Sequence, residues 1–86
     1  MLKIMRTVQE DFTVFFLIGR IETECTSQLE SLIKAEKRRV ALDLTEVTLV
    51  GRTGVRFLAQ CAEAGIKIQN CPAYIREWIS QERHNR

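Results

Sequence analysis

Leu2 and Ile4 alternate with polar neighbours at the start of the chain, and Val8 extends the same run. This period-2 pattern predicts a half-buried strand near 2–8, because successive side chains of a strand point to opposite faces. Gln9-Glu10-Asp11 reads as a polar turn. The run that follows is continuously apolar, β-branched or aromatic, which predicts a central strand near 12–19, covered on both faces and ended by Gly19. A connection this short makes the two strands an antiparallel hairpin.

Thr23-Glu24-Cys25-Thr26 offers N-cap oxygens, and Cys25, Leu29, Leu32, Ile33 and Glu36 share one helical stripe, so a helix is expected near 24–37. Val40 to Leu44 predicts a third strand near 39–45, parallel to the second because the helix supplies the crossover. A short turn then leads to a second helix near 53–64, with Val55, Leu58, Ala59 and Ala62 at core spacing and Gly65 closing it. A short strand near 66–70 precedes Pro72, which opens a last helix near 72–82. Ile75, Trp78 and Ile79 are placed on its inner face, Tyr74 at the core edge, and 80–86 as a fraying end.

The order β-β-α-β-α-β-α predicts an α/β fold: a small four-stranded mixed sheet packed with helices. The expected core is Val14, Phe16, Ile18, Leu29, Leu32, Leu42, Leu44, Leu58 and Ile68. No linker, repeat or low-complexity segment interrupts the 86 residues, so residues 1–86 read as one domain.

Composition narrows the function more than it shapes the fold. A net charge of +2 is too small to imply nucleic acid, and the Lys37-Arg38-Arg39 cluster reads as a solvated helix end. Residues 1–10 are too short and polar for a signal peptide, and no run of apolar residues spans a membrane, which together predict a cytoplasmic protein. Cys25, Cys61 and Cys71 are far apart without C-x-x-C spacing, so they read as small buried hydrophobes rather than disulfide or zinc ligands. The single histidine, His84, sits in a polar tail, leaving no base to activate a serine or cysteine. Glu22, Glu24 and Glu30 lie on a turn and a helix surface and form no catalytic pair. A non-enzymatic protein with no cofactor and no metal is expected.

The chemistry concentrates at Gly51-Arg52-Thr53-Gly54, where a strand delivers a hydroxyl to the start of a helix. There it meets unpaired backbone N–H groups and the positive end of the helix dipole. Thr53 has two roles open to it, a helix N-cap and a modifiable contact residue. Arg52 and Arg56 stand four apart, so one helix face can present both to an anion or to solvent. Gly51 and Gly54 serve backbone geometry. Phe57 lies beside the core stripe, either exposed as a partner anchor or buried under the last helix. The Walker lysine of a phosphate-binding loop is missing, so the sequence does not support nucleotide hydrolysis.

The segment from Val40 to Val55, with the Gly19-Arg20-Ile21-Glu22 turn, resembles STAS domains, the fold of bacterial anti-sigma-factor antagonists. Those proteins run hydrophobic strand, Asp-Leu, turn, Asp-Ser-Ser-Gly, then Leu or Val opening a helix. Carried across, the serine that the family phosphorylates maps onto Thr53, its acidic residue onto Gly51 and its first serine onto Arg52. The hydroxyl is kept and the acid is lost. The resemblance implies a protein-interaction module that regulates transcription, contacting an anti-sigma factor or serine-kinase-like partner and switched by phosphorylation of Thr53. Arg20, Glu22, Gly51, Arg52, Thr53, Gly54, Arg56 and Phe57 are the expected contact residues. Two rival readings stand beside it: an accessory subunit of an ABC-type transport ATPase, and a small-anion sensor built on Arg52 and Arg56.

Overall fold

In the computed structural model, which describes residues 2–84, the first two predicted strands form the hairpin expected of them. Strand β1 (Leu2–Gln9) pairs antiparallel with β2 (Phe12–Ile21) through the turn Glu10-Asp11, where Glu10 takes φ +52°. Helix α1 (Thr23–Lys34) crosses over to β3 (Arg39–Val50), which is parallel to β2. Helix α2 (Arg52–Glu63) leads to β4 (Lys67–Gln69), parallel to β3, and helix α3 (Ala73–His84) follows. The sheet order is β1-β2-β3-β4, and the architecture is mixed α/β as the patterning predicts.

Both parallel connections advance across the sheet in the same direction. Crossovers of one hand therefore place α1 and α2 on the same face, and α3 packs beside α2. The second strand was expected to be covered on both faces, and it is not. Phe15 and Leu17 point into the helix layer and are fully buried, whereas Phe16 and Ile18 lie on the opposite face and are half-buried. The expected core holds at Leu29, Leu42, Leu44 and Leu58. Val14 is also buried, but on the helix-free face beside Ala41 and outside the main cluster. Leu32 and Ile68 pack at the margin.

Three boundaries move for physical reasons. Gly19 does not end β2; it takes φ +106° within the strand, which continues to Ile21. Strand β3 does not stop at 45 but runs to Val50 through two bulges. Between the pairs Phe16–Asp43 and Ile18–Glu46, two steps of β2 match three of β3, and a second extra residue enters between Val47 and Leu49. Each bulge flips the alternation, so the buried positions run Leu42, Leu44, Val47, Val50. Helix α1 ends at Lys34 with Ala35 as its C-cap, and Glu36 lies beyond it. The freed Glu36 carboxylate accepts from Arg6 Nε at 2.6 Å and from the buried Thr13 hydroxyl at 2.7 Å, pinning the helix exit to the hairpin. The hydrogen bond from Arg6, then that from Thr13, holds the Glu36 carboxyl below the usual carboxylate range.

Helix α3 extends to His84, two residues past the expected end near 82; residues 85 and 86 lie outside the described part. Its inner face is Ile75 and Ile79 alone. Trp78 is 47% exposed and Tyr74 48%, which corrects their expected places in the core and at its edge.

Candidate functional site

The corner between β3 and α2 is built on the carbonyl of Ile21, the last residue of β2. Gly51 N–H donates to it at 3.1 Å, tying the end of β2 to the start of α2. Gly51 is the N-cap, in extended conformation, and its carbonyl accepts from Val55 N–H at 3.0 Å to close the first turn. No side chain caps this helix, so Thr53 is a first-turn residue and not the N-cap. Thr53 and Arg52 are both exposed there. Helix α1 starts at the same end of the sheet, with Glu22 as its N-cap and no side-chain cap from Glu22. The expected capping role of the Thr23–Thr26 hydroxyls is not realised; the Thr26 hydroxyl donates to the Thr23 carbonyl inside the helix.

The fold brings together most of the residues expected to contact a partner. Arg20 and Glu22 flank Ile21, Gly51 is hydrogen-bonded to it, and Arg52 and Thr53 follow Gly51 on the first turn of α2. Two of the expected contact residues are internal. Gly54 is buried because α2 lies close on the strand ends: a Cβ there would meet Val50 Cγ1 at 2.8 Å and Ile21 Cγ2 at 2.9 Å. Phe57 is only 9% exposed, at the floor of a groove between α1 and α2 and not under the last helix. That groove is also lined by Thr26, Ser27, Thr53 and Arg56. Arg56 reaches Glu82 of α3 at 3.3 Å, whereas the Arg52 side chain has no ion pair or hydrogen bond among the described residues. The two arginines, expected to share one face, thus differ in their surroundings: Arg56 is paired across to α3 and Arg52 is not.

A second groove, of about 500 Å³, runs between the start of α2 and α3, where Val50, Arg52, Val55 and Trp78 line it. Trp78 makes an edge-to-face pair with Tyr74, ring centroids 6.3 Å apart, and the Tyr74 hydroxyl donates to the Thr48 carbonyl at 3.0 Å. Leu49, next in the chain, is 51% exposed. This aromatic flank is absent from the sequence-derived site. Its signal was present: Tyr74 and Trp78 are four apart, forming a stripe beside the Ile75–Ile79 stripe, and the aliphatic pair takes the core.

Asp43 of the Asp-Leu pair knots the sheet. It is 3% exposed and accepts from the Thr45 amide and hydroxyl, Gln69 and Asn70, at 2.6–3.0 Å. Burial alone would push this carboxyl up, but the hydrogen bonds from Thr45, Gln69 and Asn70 prevail and hold it at about 2. Asn70 adopts φ +52° in doing so, a conformation that asparagine tolerates. Burial pushes the Cys61 thiol up to about 11 and raises Cys71 as well, so both are protonated and inert at neutral pH. Cys25 is half-exposed, unlike the other two. Among the described residues no three His, Cys, Asp or Glu side chains are grouped to hold a metal ion, and no helix is long and apolar enough to cross a membrane.

Neither a family model nor a curated protein matches the chain. Among solved structures it is similar to an uncharacterized protein of the DUF3478 family with a SpoIIAA-like fold from Shewanella loihica PV-4. The TM-score is 0.59 at 15% identity, over 93% of this chain and 74% of that one. The fold is therefore SpoIIAA-like, that of the STAS domains and anti-sigma-factor antagonists.

Proposed function

We propose that this SpoIIAA-like protein is a non-enzymatic interaction module that docks a regulatory protein on the corner at the start of α2, with Thr53 as its switch. One observation carries the reading: Arg52 and Thr53 are exposed side by side on the first turn of a helix whose N-terminus has no side-chain cap. A phosphothreonine there would bring roughly −1.5 to −2 charge to first-turn N–H groups and to Arg52, which stabilises the modified form. It would also place that charge inside any interface covering the corner. By likeness of fold, the partner is an anti-sigma factor of the serine-kinase type, released or engaged according to the state of Thr53.

The accessory-subunit reading, with a transport ATPase as partner, draws on one feature. Gly51 stands where the family's kinase substrates carry an acid beside the acceptor. The small-anion sensor loses support, because Arg56 is engaged by Glu82.

Side-by-side affinity capture on the wild-type protein and on Thr53→Glu tests the proposal. A specific partner recovered by the wild type should fall by about tenfold or more on Thr53→Glu, while circular dichroism shows the fold unchanged. The partner's class then separates the anti-sigma reading from the transport one. Equal recovery on both baits would remove Thr53 as the switch.

A further inference from the structure

We infer that the groove between α2 and α3 is a docking site for a partner segment that presents a carboxylate beside an aliphatic or aromatic side chain. The inference rests on the interaction-module reading and adds the chemistry of the partner.

The groove has two halves. One is apolar: Val50 and Val55 form its floor side, and Trp78 stands 47% exposed over it. A tryptophan held half in water by an edge-to-face tyrosine is a rigid, amphipathic surface, the type that anchors interfaces at low cost in side-chain entropy. The Tyr74 hydroxyl bond to the Thr48 carbonyl fixes the tyrosine, and through the ring contact it restrains Trp78. The other half is cationic. Glu82 on the α3 wall is neutralised by Arg56, while Arg52 on the α2 wall has no partner among the described residues. The groove therefore carries one uncompensated positive charge next to an apolar wall. A planar guanidinium in this setting is matched by a carboxylate, which it can bind in a bidentate manner. A cationic or wholly apolar segment would leave that charge facing a like charge or desolvated without a partner.

Selection from a displayed library of random dodecapeptides against the full chain tests this. The enriched peptides should carry Asp or Glu within two residues of Leu, Ile, Phe or Trp. Binding should shift the fluorescence of Trp78, the only tryptophan in the chain. By calorimetry, replacing the peptide acid with its amide should weaken binding by about tenfold, and Arg52→Gln should erase that difference. Trp78→Ala should weaken acid and amide peptides alike by about tenfold, with an unchanged melting curve. Enriched peptides without carboxylates would overturn the inference, as would self-association that Trp78→Ala abolishes in the absence of peptide binding. Peptides insensitive to Arg52→Gln and Trp78→Ala but lost in Thr53→Glu would move recognition to the α1–α2 groove; the interaction-module reading would then stand and this inference would fall. Absence of any enrichment over a blank support would overturn both.

Discussion

Gly51 and Gly54 stand three residues apart in the same corner yet answer to different constraints. Gly54 has no room: the methyls it would strike belong to two buried β-branched residues, Ile21 and Val50, and the Ile21 carbonyl lies 3.1 Å from the same point. Gly51 has room, since a Cβ there would meet only that carbonyl, at 3.8 Å, and its φ is −75°. Gly54→Ala gains about 1 kcal/mol of helix propensity but overpacks the strand ends by about 1–3 kcal/mol, so urea unfolding should show a net loss near 1 kcal/mol. Gly51→Asp restores the acid of the family's corner and supplies a cap that α2 lacks. The same measurement should show a gain of a few tenths of a kcal/mol. Opposite signs at two glycines of one turn would locate the close approach at Gly54.

Strand β2 is apolar at both parities, and only packing decides which parity faces the helices. Phe15 and Phe16 are adjacent and chemically identical, yet Phe15 is 1% exposed and Phe16 half-buried on the open face. Phe15→Ala should cost about 3–5 kcal/mol by chemical denaturation, because the helix layer cannot close over the cavity. Phe16→Ala should cost only about 1–2 kcal/mol, the value of partial burial. Similar costs at both sites would contradict the one-sided helix layer. At the same scale, β3 needs 12 residues to accompany the 10 of β2, and its two bulges are what carry Val50 inward and leave Leu49 outside.

For the whole molecule, charge sets both the acid limit of stability and the approach of partners. The folded Asp43 carboxyl sits at about 2, below the ordinary value of 3.8 that it regains on unfolding. A depressed folded value means that its contribution is fully present from about a unit above 3.8 and is lost as pH falls through about 2, below which both states bind the proton. That loss is about 2–3 kcal/mol. Glu36, also lowered, adds to the loss in the same direction. Stability should therefore be flat from neutral pH down to the mid-acid range and fall below it. Asp43→Asn should be destabilised at pH 7 with a flatter acid limb, since its amide leaves the Gln69 and Asn70 donors unmatched. The exposed charge of Arg52 acts over a longer range. The association rate of the captured partner should fall with ionic strength, and Arg52→Ser should reduce the slope. Equal slopes would leave Arg52 outside the encounter surface.

Much of this architecture is local information. Periods of 2 and 3.6, Gly65 after a helix and Pro72 before one are read within a few residues, so the order of all seven elements was legible. So was the corner, because Gly51-Arg52-Thr53-Gly54 follows a strand pattern and precedes a helical one. Three things were decided only by tertiary contact. The inward parity of β2 has no sequence signal when both parities are apolar. The stretch from Thr45 to Val50 loses its period of 2 because two bulges invert it, so an isolated reading takes strand for turn. The outward stripe of α3 is settled by competition: Ile75 and Ile79 take the buried stripe, and Tyr74 and Trp78 are left half-exposed, with Trp78 in the groove that Arg52 also lines. Helices α1 and α2 share one face because crossovers of one hand, taken in one direction along the sheet, cannot do otherwise.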